Sequence, residues 1–395
     1  MSTIEIREHR PGEPGQDLEP FIRAPHLLFE GDRHWVPPLH KEMRDRLSPQ
    51  KNPFFDHAQV VLFTAWKHGT IVGRCSAQVD HQHLARHQDA TGFFGFFDTT
   101  DDDEVGRALI GAASEWLRRR GMKKIRGPLS LSINEEVGML VEGFDSPPMI
   151  MMPYSKQYQS RVAESAGLVK AKDLLAWKYE AGELPKRAKD AWEAVQHMPE
   201  VRFRSVRPSR MHEDLPIILD VFNDAWKDNW GFVPATPAEA KKAADDFKLI
   251  IEPELAFIAE IHGQPSAICV AIPNMNEAIA DLNGRLFPVG LFKLLWRMKV
   301  KHPSGARLMM LGVREEVRKQ KKYGGLSMAM YAEIHRRGTA IGYHWGELSW
   351  TLEDNAPVSL GIRAMGGKVY KKYRIFEKSL EEGDVDIQTN REVRA

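Results

Sequence analysis

The stretch FTAWKHGTIVGRC at residues 63–75 returns as FIAEIHGQPSAIC at residues 257–269. Phe63, Ala65, His68, Gly69 and Cys75 meet Phe257, Ala259, His262, Gly263 and Cys269 without a gap. In both copies alternating apolar residues flank a His-Gly pair, the pattern of two strands joined by a tight turn. Such self-similarity marks an internal repeat, and the features around each copy keep one order. Downstream of the first, Val105, Leu109, Ala113, Trp116 and Leu117 keep helical spacing and Gly121 supplies a stop. Downstream of the second, Leu326, Met330 and Ile334 do so, with Gly338 as the expected stop. Gly127-Pro-Leu-Ser130 is then matched by Gly346-Glu-Leu-Ser349, and each is followed by an asparagine, Asn134 or Asn355. A further short segment and a glycine, Gly167 or the Gly366-Gly367 pair, precede a Lys-rich last strand in each half.

A chain of 395 residues is too long for one ordinary core and has room for two domains. The halves divide near residue 190, in a charged, Pro-containing connection, which predicts domains at 1–190 and 191–395. Each half reads as a strand hairpin, a strand, a helix, a strand, a helix and a final strand. That order predicts an α/β fold, with a mixed sheet and helices on its faces. At 43% hydrophobic and 28% charged residues the composition excludes a disordered chain. A net charge of +1 gives no global field to draw the protein onto nucleic acid, so no nucleic-acid partner is expected. Cys75 and Cys269 lie in apolar, strand-like surroundings and read as buried thiols, which fits a reducing compartment. The N-terminus lacks the apolar core of a secretory signal, and no apolar run reaches roughly 18 residues. The expected location is cytoplasmic, with any membrane contact made peripherally at the inner face.

In the second half LMMLGVR (308–314) reads as a strand and RKQKKYGGL (318–326) as the loop that opens the helix. A helix N-terminus offers unpaired N–H groups and a positive dipole end, and so attracts anions. Gly324 and Gly325 allow close backbone approach, and Arg314, Arg318, Lys319, Lys321 and Lys322 add positive charge. Most charge runs are solvated loops; the position between strand and helix is what favours a phosphate here. The first half has FFDTTDDDE (96–104) in the same place. Those carboxylates would cap the helix themselves and repel a phosphate. The first copy is therefore expected to be structural, or to form one wall of an acceptor pocket.

This order of elements resembles the GNAT acyltransferase superfamily over most of Phe257–Phe376, with a degenerate copy over most of Val60–Tyr179. The resemblance implies two tandem GNAT-like domains, each a mixed, mainly antiparallel sheet flanked by helices, with acyl-CoA as co-substrate and no metal. It places Leu311, Gly312 and Val313 beside the pantetheine, and Arg318, Lys321, Lys322, Gly324 and Gly325 at the pyrophosphate. The family pattern is Arg/Gln-x-x-Gly-x-Gly/Ala, whereas here Leu326 occupies the last small position. Asn355 matches a family asparagine that contacts the cofactor. The family's tyrosine acid is absent, with Ile362 near its place; Tyr370 or Tyr373 would substitute, or else simply pack.

N-acyl transfer needs a deprotonated amine, a polarised thioester carbonyl and an acid for the departing thiolate. GELSWTLEDN (346–355) is the densest set of suitable groups, and on a strand Glu347, Ser349, Thr351 and Glu353 would share one face. Glu347 or Glu353 is expected to be the base, with Glu353 favoured; either also reads as a surface carboxylate. Trp226, Asn229, Trp230 and Phe232 form an expected acceptor wall, or part of the core. His81-x-His83 with His87 is the nearest approach to metal-ligand spacing and is not expected to be a site. Between 286 and 301, Leu291, Leu294, Leu295 and Met298 share a helical face flanked by Lys293, Arg297, Lys299 and Lys301. That segment suits an anionic lipid surface, or else packs on its own sheet. Trp35-Val-Pro-Pro, Asn52-Pro-Phe-Phe, Gly143-Phe-Asp, Asn229-Trp-Gly-Phe and Trp350-Thr-Leu-Glu-Asp-Asn look like motifs of the bacterial ceramide synthase group. That likeness implies acyl-CoA as donor and a sphingoid-type long-chain amine as acceptor. The alternatives are a small amine or aminoacyl acceptor, and a non-catalytic acyl-CoA-binding protein.

Overall fold

The computed structural model describes residues 3–248 and 250–381; the end of the second half, 382–395, lies outside them. The strands of the first half are β1 (Glu5–His9), β2 (Ala58–Lys67), β3 (Thr70–Asp80), β4 (Thr91–Thr99), β5 (Lys124–Gly127), β6 (Leu129–Ser130), β7 (Glu136–Val137), β8 (Met139–Glu142) and β9 (Val169–Glu180). Those of the second are β10 (Val201–Ser205), β11 (Ala256–Ile261), β12 (Gln264–Pro273), β13 (Gly305–Val313), β14 (Trp345–Leu352) and β15 (Lys368–Ser379). The repeated motif makes the hairpins β2–β3 and β11–β12. His68 and Gly69 take φ of 52° and 77°, and His262 and Gly263 take 52° and 76°. Two successive left-handed residues match the twist of the flanking strands, which is why a glycine closes each pair.

Thirteen of these strands form one sheet in the order β1-β2-β3-β4-β5-β15-β9-β14-β13-β12-β11-β10, with β8 also pairing β15, and β6 and β7 form a separate pair. Within it β4–β5 and β13–β14 are parallel and the other pairs antiparallel. The mixed sheet with flanking helices is the expected architecture, but the two halves share a single sheet and exchange their last strands. β15 lies between β5 and β9, and β9 lies between β15 and β14. Packing follows the exchange. Phe376, from the last strand of the second half, is fully buried with Val61, Phe63, Phe94 and Leu117 of the first. Trp177, from the last strand of the first half, is buried with Tyr331, Leu348 and Ile362 of the second.

Two long helices, Asp103–Arg118 and Leu326–Ala340, cover equivalent positions on one face. The first buries Val105, Leu109, Ala113, Trp116 and Leu117, the residues whose spacing announced it. The second continues past the expected stop at Gly338, and the left-handed residue that follows it is Gly342, with φ of 93°. On the opposite face of the second half, helix Met211–Trp226 packs Val221 against Ile258, Ile268 and Val270. Cys75 and Cys269 are both buried and free, and burial pushes both thiols up.

Phe376→Ala is expected to cost about 3–5 kcal/mol, measured by urea unfolding. Because the lost contacts belong to the other half, hydrogen exchange should quicken in β2 and β5; a change confined to the second half would contradict the exchange.

Candidate functional site

β13 pairs with β14 from Gly305↔Trp345 to Leu308↔Leu348 and no further, although both strands continue. Two irregularities at this level part them. The β12–β13 register shifts so that Met309 is an extra residue between Leu308 and Met310. The β14–β9 register shifts between Leu348 and Thr351. A bulge bends its strand and increases local twist, so neighbours bulged side by side diverge. The result is a cleft with the edge of β13 from Met309 to Val313 unpaired on the β14 side.

The first half has the same cleft, filled. There β4 and β5 pair only from Thr91↔Lys124 to Phe93↔Arg126. The Gln159 side chain donates to the Phe97 carbonyl at 2.9 Å and the Tyr158 hydroxyl to the Thr99 carbonyl at 2.7 Å. Leu129 lies so close that a Cβ on Gly95 would meet its carbonyl oxygen at 2.0 Å. Matching hairpin registers (Gly73↔Thr99, Ala267↔Val313) make Leu311 and Val313 the counterparts of Phe97 and Thr99. The helix that begins with Gln159 in the first half begins with Ala356 in the second, and among the described residues no side chain bonds those two carbonyls.

The helix N-termini beside the clefts differ in the same sense. Asp102 accepts from the Glu104 N–H at 2.9 Å and from Lys67 at 3.0 Å, while Arg161 pairs with Asp101 and Asp103. Helix Leu326–Ala340 follows Gly325 and has no side-chain cap. A Cβ on Gly324 would meet nothing nearer than 3.3 Å and one on Gly325 nothing nearer than 4.0 Å, so the first-turn N–H groups are reachable. Of the five cations expected to serve an anion, Lys322 pairs with Glu200, Lys319 with Glu315 and Arg314 with Asp220. Arg318 and Lys321 have no carboxylate partner among the described residues.

On the sheet face away from that helix a polar cluster is buried beside the cleft. Glu347 of β14 is 0% exposed and stands next to Arg307 of β13 in register. Ser349 Oγ donates to Glu347 Oε1 at 2.5 Å, and the Tyr370 hydroxyl donates to Oε2. Arg307 Nε lies 4.0 Å from Glu347 and donates to Ser349 Oγ at 2.8 Å, and its Nη1 donates to the Ile150 carbonyl at 2.7 Å. Tyr373 is fully buried, and its hydroxyl has no hydrogen-bond partner among the described residues. Burial, then the nearby Glu347 charge, hold both tyrosines well above their ordinary pKa, and burial draws Arg307 down. Lys371 next to them donates to the carbonyls of Gly143 at 2.6 Å and Ser146 at 2.8 Å, and burial pushes it down to about 8.

The expected single-face row in β14 is broken by the bulge. Glu347 and Ser349 stay together, but the Thr351 hydroxyl turns to accept from Trp177 Nε1 at 2.8 Å. Glu353 lies past the strand, where it accepts from the Asp173 N–H at 3.0 Å and from Lys170 at 2.8 Å. The Asn355 side chain caps helix Ala356–Ala364 through the Val358 N–H at 3.3 Å. Trp226 packs against β13, where a Cβ on Gly312 would stand 2.2 Å from its ring. Asn229 bonds back to Trp226 through the backbone, whereas Trp230 and Phe232 sit under Arg126 and Arg86 of the first half. Of the expected residues, then, Leu311, Gly312, Val313, Trp226, Glu347 and Tyr373 gather at the cleft, while Glu353 lies apart from the cluster. His83 bonds Asp89 at 3.0 Å and stacks on His87, and no group among the described residues could hold a metal ion. Sequence reasoning passed over Arg307 and Lys371. The signal for Arg307 was a lone charge inside the apolar run 305–313, which burial requires to be paired.

No family model matches the chain. Among solved structures, it superposes on a tandem GNAT protein from the clavulanic acid biosynthesis pathway with a TM-score of 0.54. That match has 12% identity and covers 96% of this chain and 100% of that one. A GCN5-related glucosamine N-acetyltransferase region of a fungal multi-domain β-N-acetylglucosaminidase gives 0.56 at 14% identity, over 96% of this chain and 38% of that one. The fold is therefore that of the tandem GNAT proteins. In sequence, the chain is 41% identical over 369 residues to the bacterial ceramide synthase of Caulobacter vibrioides, covering 92% of this chain and 95% of that one. It is 40% identical over 372 residues to protein YghO of Escherichia coli, covering 92% and 93%. The chain belongs to the bacterial ceramide synthase family.

The buried amine of Lys371 makes stability depend on pH. Its pKa lies near 8 when folded, below the ordinary 10.5, so between those values the unfolded chain binds more protons. Stability therefore gains from this group as pH rises from about 8 toward 10.5. Urea titrations across that window should show a smaller rise, or a steeper fall, in Lys371→Met than in the parent; parallel curves would contradict it.

Proposed function

We propose that this chain is an acyl-CoA-dependent N-acyltransferase whose acceptor is a sphingoid-type long-chain amine. The contrast between the two copies carries the reading. In the first, side chains satisfy the cleft carbonyls and a carboxylate caps the helix; in the second, both positions stand open. The pantetheine amides would pair with the free edge of β13 along Leu311, Gly312 and Val313. The pyrophosphate would lie on the N–H groups after Gly324 and Gly325, with Arg318 and Lys321 beside it and Lys322 at the rim.

The amine would approach from the opposite face, past Trp226. Its nitrogen attacks the thioester carbon, the amide bond forms and the C–S bond breaks. The proton leaving nitrogen passes through the Tyr370 hydroxyl, which already bonds Glu347, to the Glu347 carboxylate. The departing sulfur takes a proton from the Tyr373 hydroxyl, and the proton gathered by Glu347 then replaces it, so that amide and free thiol leave with no net charge gained by the enzyme. Arg307 holds the charge of Glu347 in a site closed to water. We place the base at Glu347 in preference to Glu353, because Glu353 is engaged by Lys170 and the Asp173 backbone. The first half serves as a wall, since its Ile150 carbonyl fixes Arg307.

Two observations support a lipid acceptor. One is the name of the Caulobacter vibrioides relative. The other is the segment 286–301, where Leu294 and Met298 pack inward while Phe287 and Phe292 stand 71% and 73% exposed. Val289, Leu295, Trp296 and Val300 are exposed with them, beside Lys299 and Lys301. No helix among the described residues is long and apolar enough to cross a membrane. The contact would be interfacial, with the apolar rings at the acyl boundary and the lysines on anionic headgroups, at the cytoplasmic face. The complete burial of Glu347 favours a second reading, a protein that binds acyl-CoA without turnover.

Release of free thiol from acyl-CoA should depend on added sphinganine. Glu347→Gln should lower kcat by about 10²–10⁴-fold and Lys321→Glu should raise KM for acyl-CoA. Thiol release from no acyl-CoA, despite CoA binding, would leave the second reading. In sedimentation with vesicles containing phosphatidylglycerol, the double substitution Phe292→Ser, Trp296→Ser should abolish binding; retention would remove the membrane contact from the proposal.

A further inference from the structure

Between helix Leu326–Ala340 and the sheet lies a pocket that opens to solvent. Its inner wall is formed by Leu308 and Leu348, the last paired residues before the cleft, together with Tyr331. From there it runs under Ile334 to Gly338 and Tyr343, toward the C-terminal end of the helix and away from Gly325. Tyr331 to Gly338 spans about 10 Å at the helical rise per residue. Phosphates bound at the helix N-terminus and pantetheine laid along β13 would bring the thioester to the point where the strands part. Whatever follows the thioester then has the pocket ahead of it.

The pocket is built for an apolar occupant. Its sheet side presents Ala271, Ala306 and Gly346, small residues that leave depth below the helix. Among its polar side chains, the Tyr179 hydroxyl lies 2.7 Å from His335 Nδ1, and burial holds His335 below its ordinary pKa. Gly338 also finds its explanation here. It does not end the helix, and glycine inside a helix is disfavoured relative to alanine. A Cβ at this position would stand 3.7 Å from Leu255 and 3.9 Å from Tyr343, so any larger side chain would enter the pocket.

We propose that this pocket holds the acyl chain of the donor, and that Gly338 and Ala306 set the chain length it accepts. The proposal rests on the reading that acyl-CoA binds in the β13–β14 cleft. It is tested on the full chain by calorimetric titration with CoA, acetyl-CoA and octanoyl-CoA. Affinity should rise with chain length, roughly fourfold per methylene buried. Gly338→Leu should reduce the preference for octanoyl-CoA over acetyl-CoA by at least about tenfold, because several methylenes lose their space. Ala306→Val, on the facing wall, should lower the same ratio, and it carries the test if circular dichroism finds Gly338→Leu unfolded. CoA binding with no gain from the acyl chain, or an unchanged ratio in the folded variants, would overturn the pocket assignment and leave the cleft reading standing. No binding of CoA itself would overturn both.

Discussion

The antiparallel pairing of β9 with β15 at the centre of the sheet is the constraint from which the rest of the structure follows. It runs from Lys368↔Lys178 to Glu377↔Val169 and joins the last strand of each half inside the territory of the other. Because β9 holds one side of β14, the bulge between Leu348 and Thr351 is made against a fixed partner, and the divergence falls on the β13 side. Because β15 lies alongside, Tyr370 reaches Glu347 from the strand after next. The first half, with its own cleft closed, thus lends β9 to the frame of the second.

A cleft in a sheet leaves backbone groups without partners, and a buried unpaired carbonyl or amide costs free energy until something satisfies it. The two copies meet that demand differently. In the first, Gln159 and Tyr158 supply donors where strand pairing stops, and Asp102 supplies the negative charge that the helix N-terminus attracts. On the proposed reading a ligand does both tasks in the second, with amides in place of the Gln159 side chain and phosphate in place of the Asp102 carboxylate. Duplication followed by internal capping of one copy accounts for why the repeat is plain in the hairpins yet faded around the cleft.

Much of this was legible in the residues. The His-Gly turns, the periodicity of the long helices and the contrast between DDDE and KKYGG report local physics, and local physics survived folding. The strand exchange was not legible, since β9 and β15 carry similar Lys-rich alternation and pairing either one into either half satisfies the same pattern. Nor could alternation separate Glu347 from Glu353. The period of two that put both on one face fails where the β14 register shifts, and only the partner strand reveals the shift. Gly338 misled for a related reason: a glycine near a helix end reads as a stop, but its missing side chain answers to a cavity rather than to a turn.

The sheet divides the chemistry of the site between its faces. Helix Leu326–Ala340, the basic loop and the apolar pocket lie on one side; Glu347, Arg307 and the two tyrosines lie on the other. Paired strands form a continuous barrier of backbone, so the faces meet only where β13 and β14 part. A thioester carbon placed there is reachable from both sides, by its own chain on the helix face and by an amine on the opposite face. Burial of Glu347 and Arg307 strengthens the charge–dipole contacts between them, and on the proposed reading it would also shield the thioester from hydrolysis. On the proposed reading, complete burial of Glu347 is the cost of a dry site, and Tyr370 is the hydroxyl that would carry its basicity to the cleft.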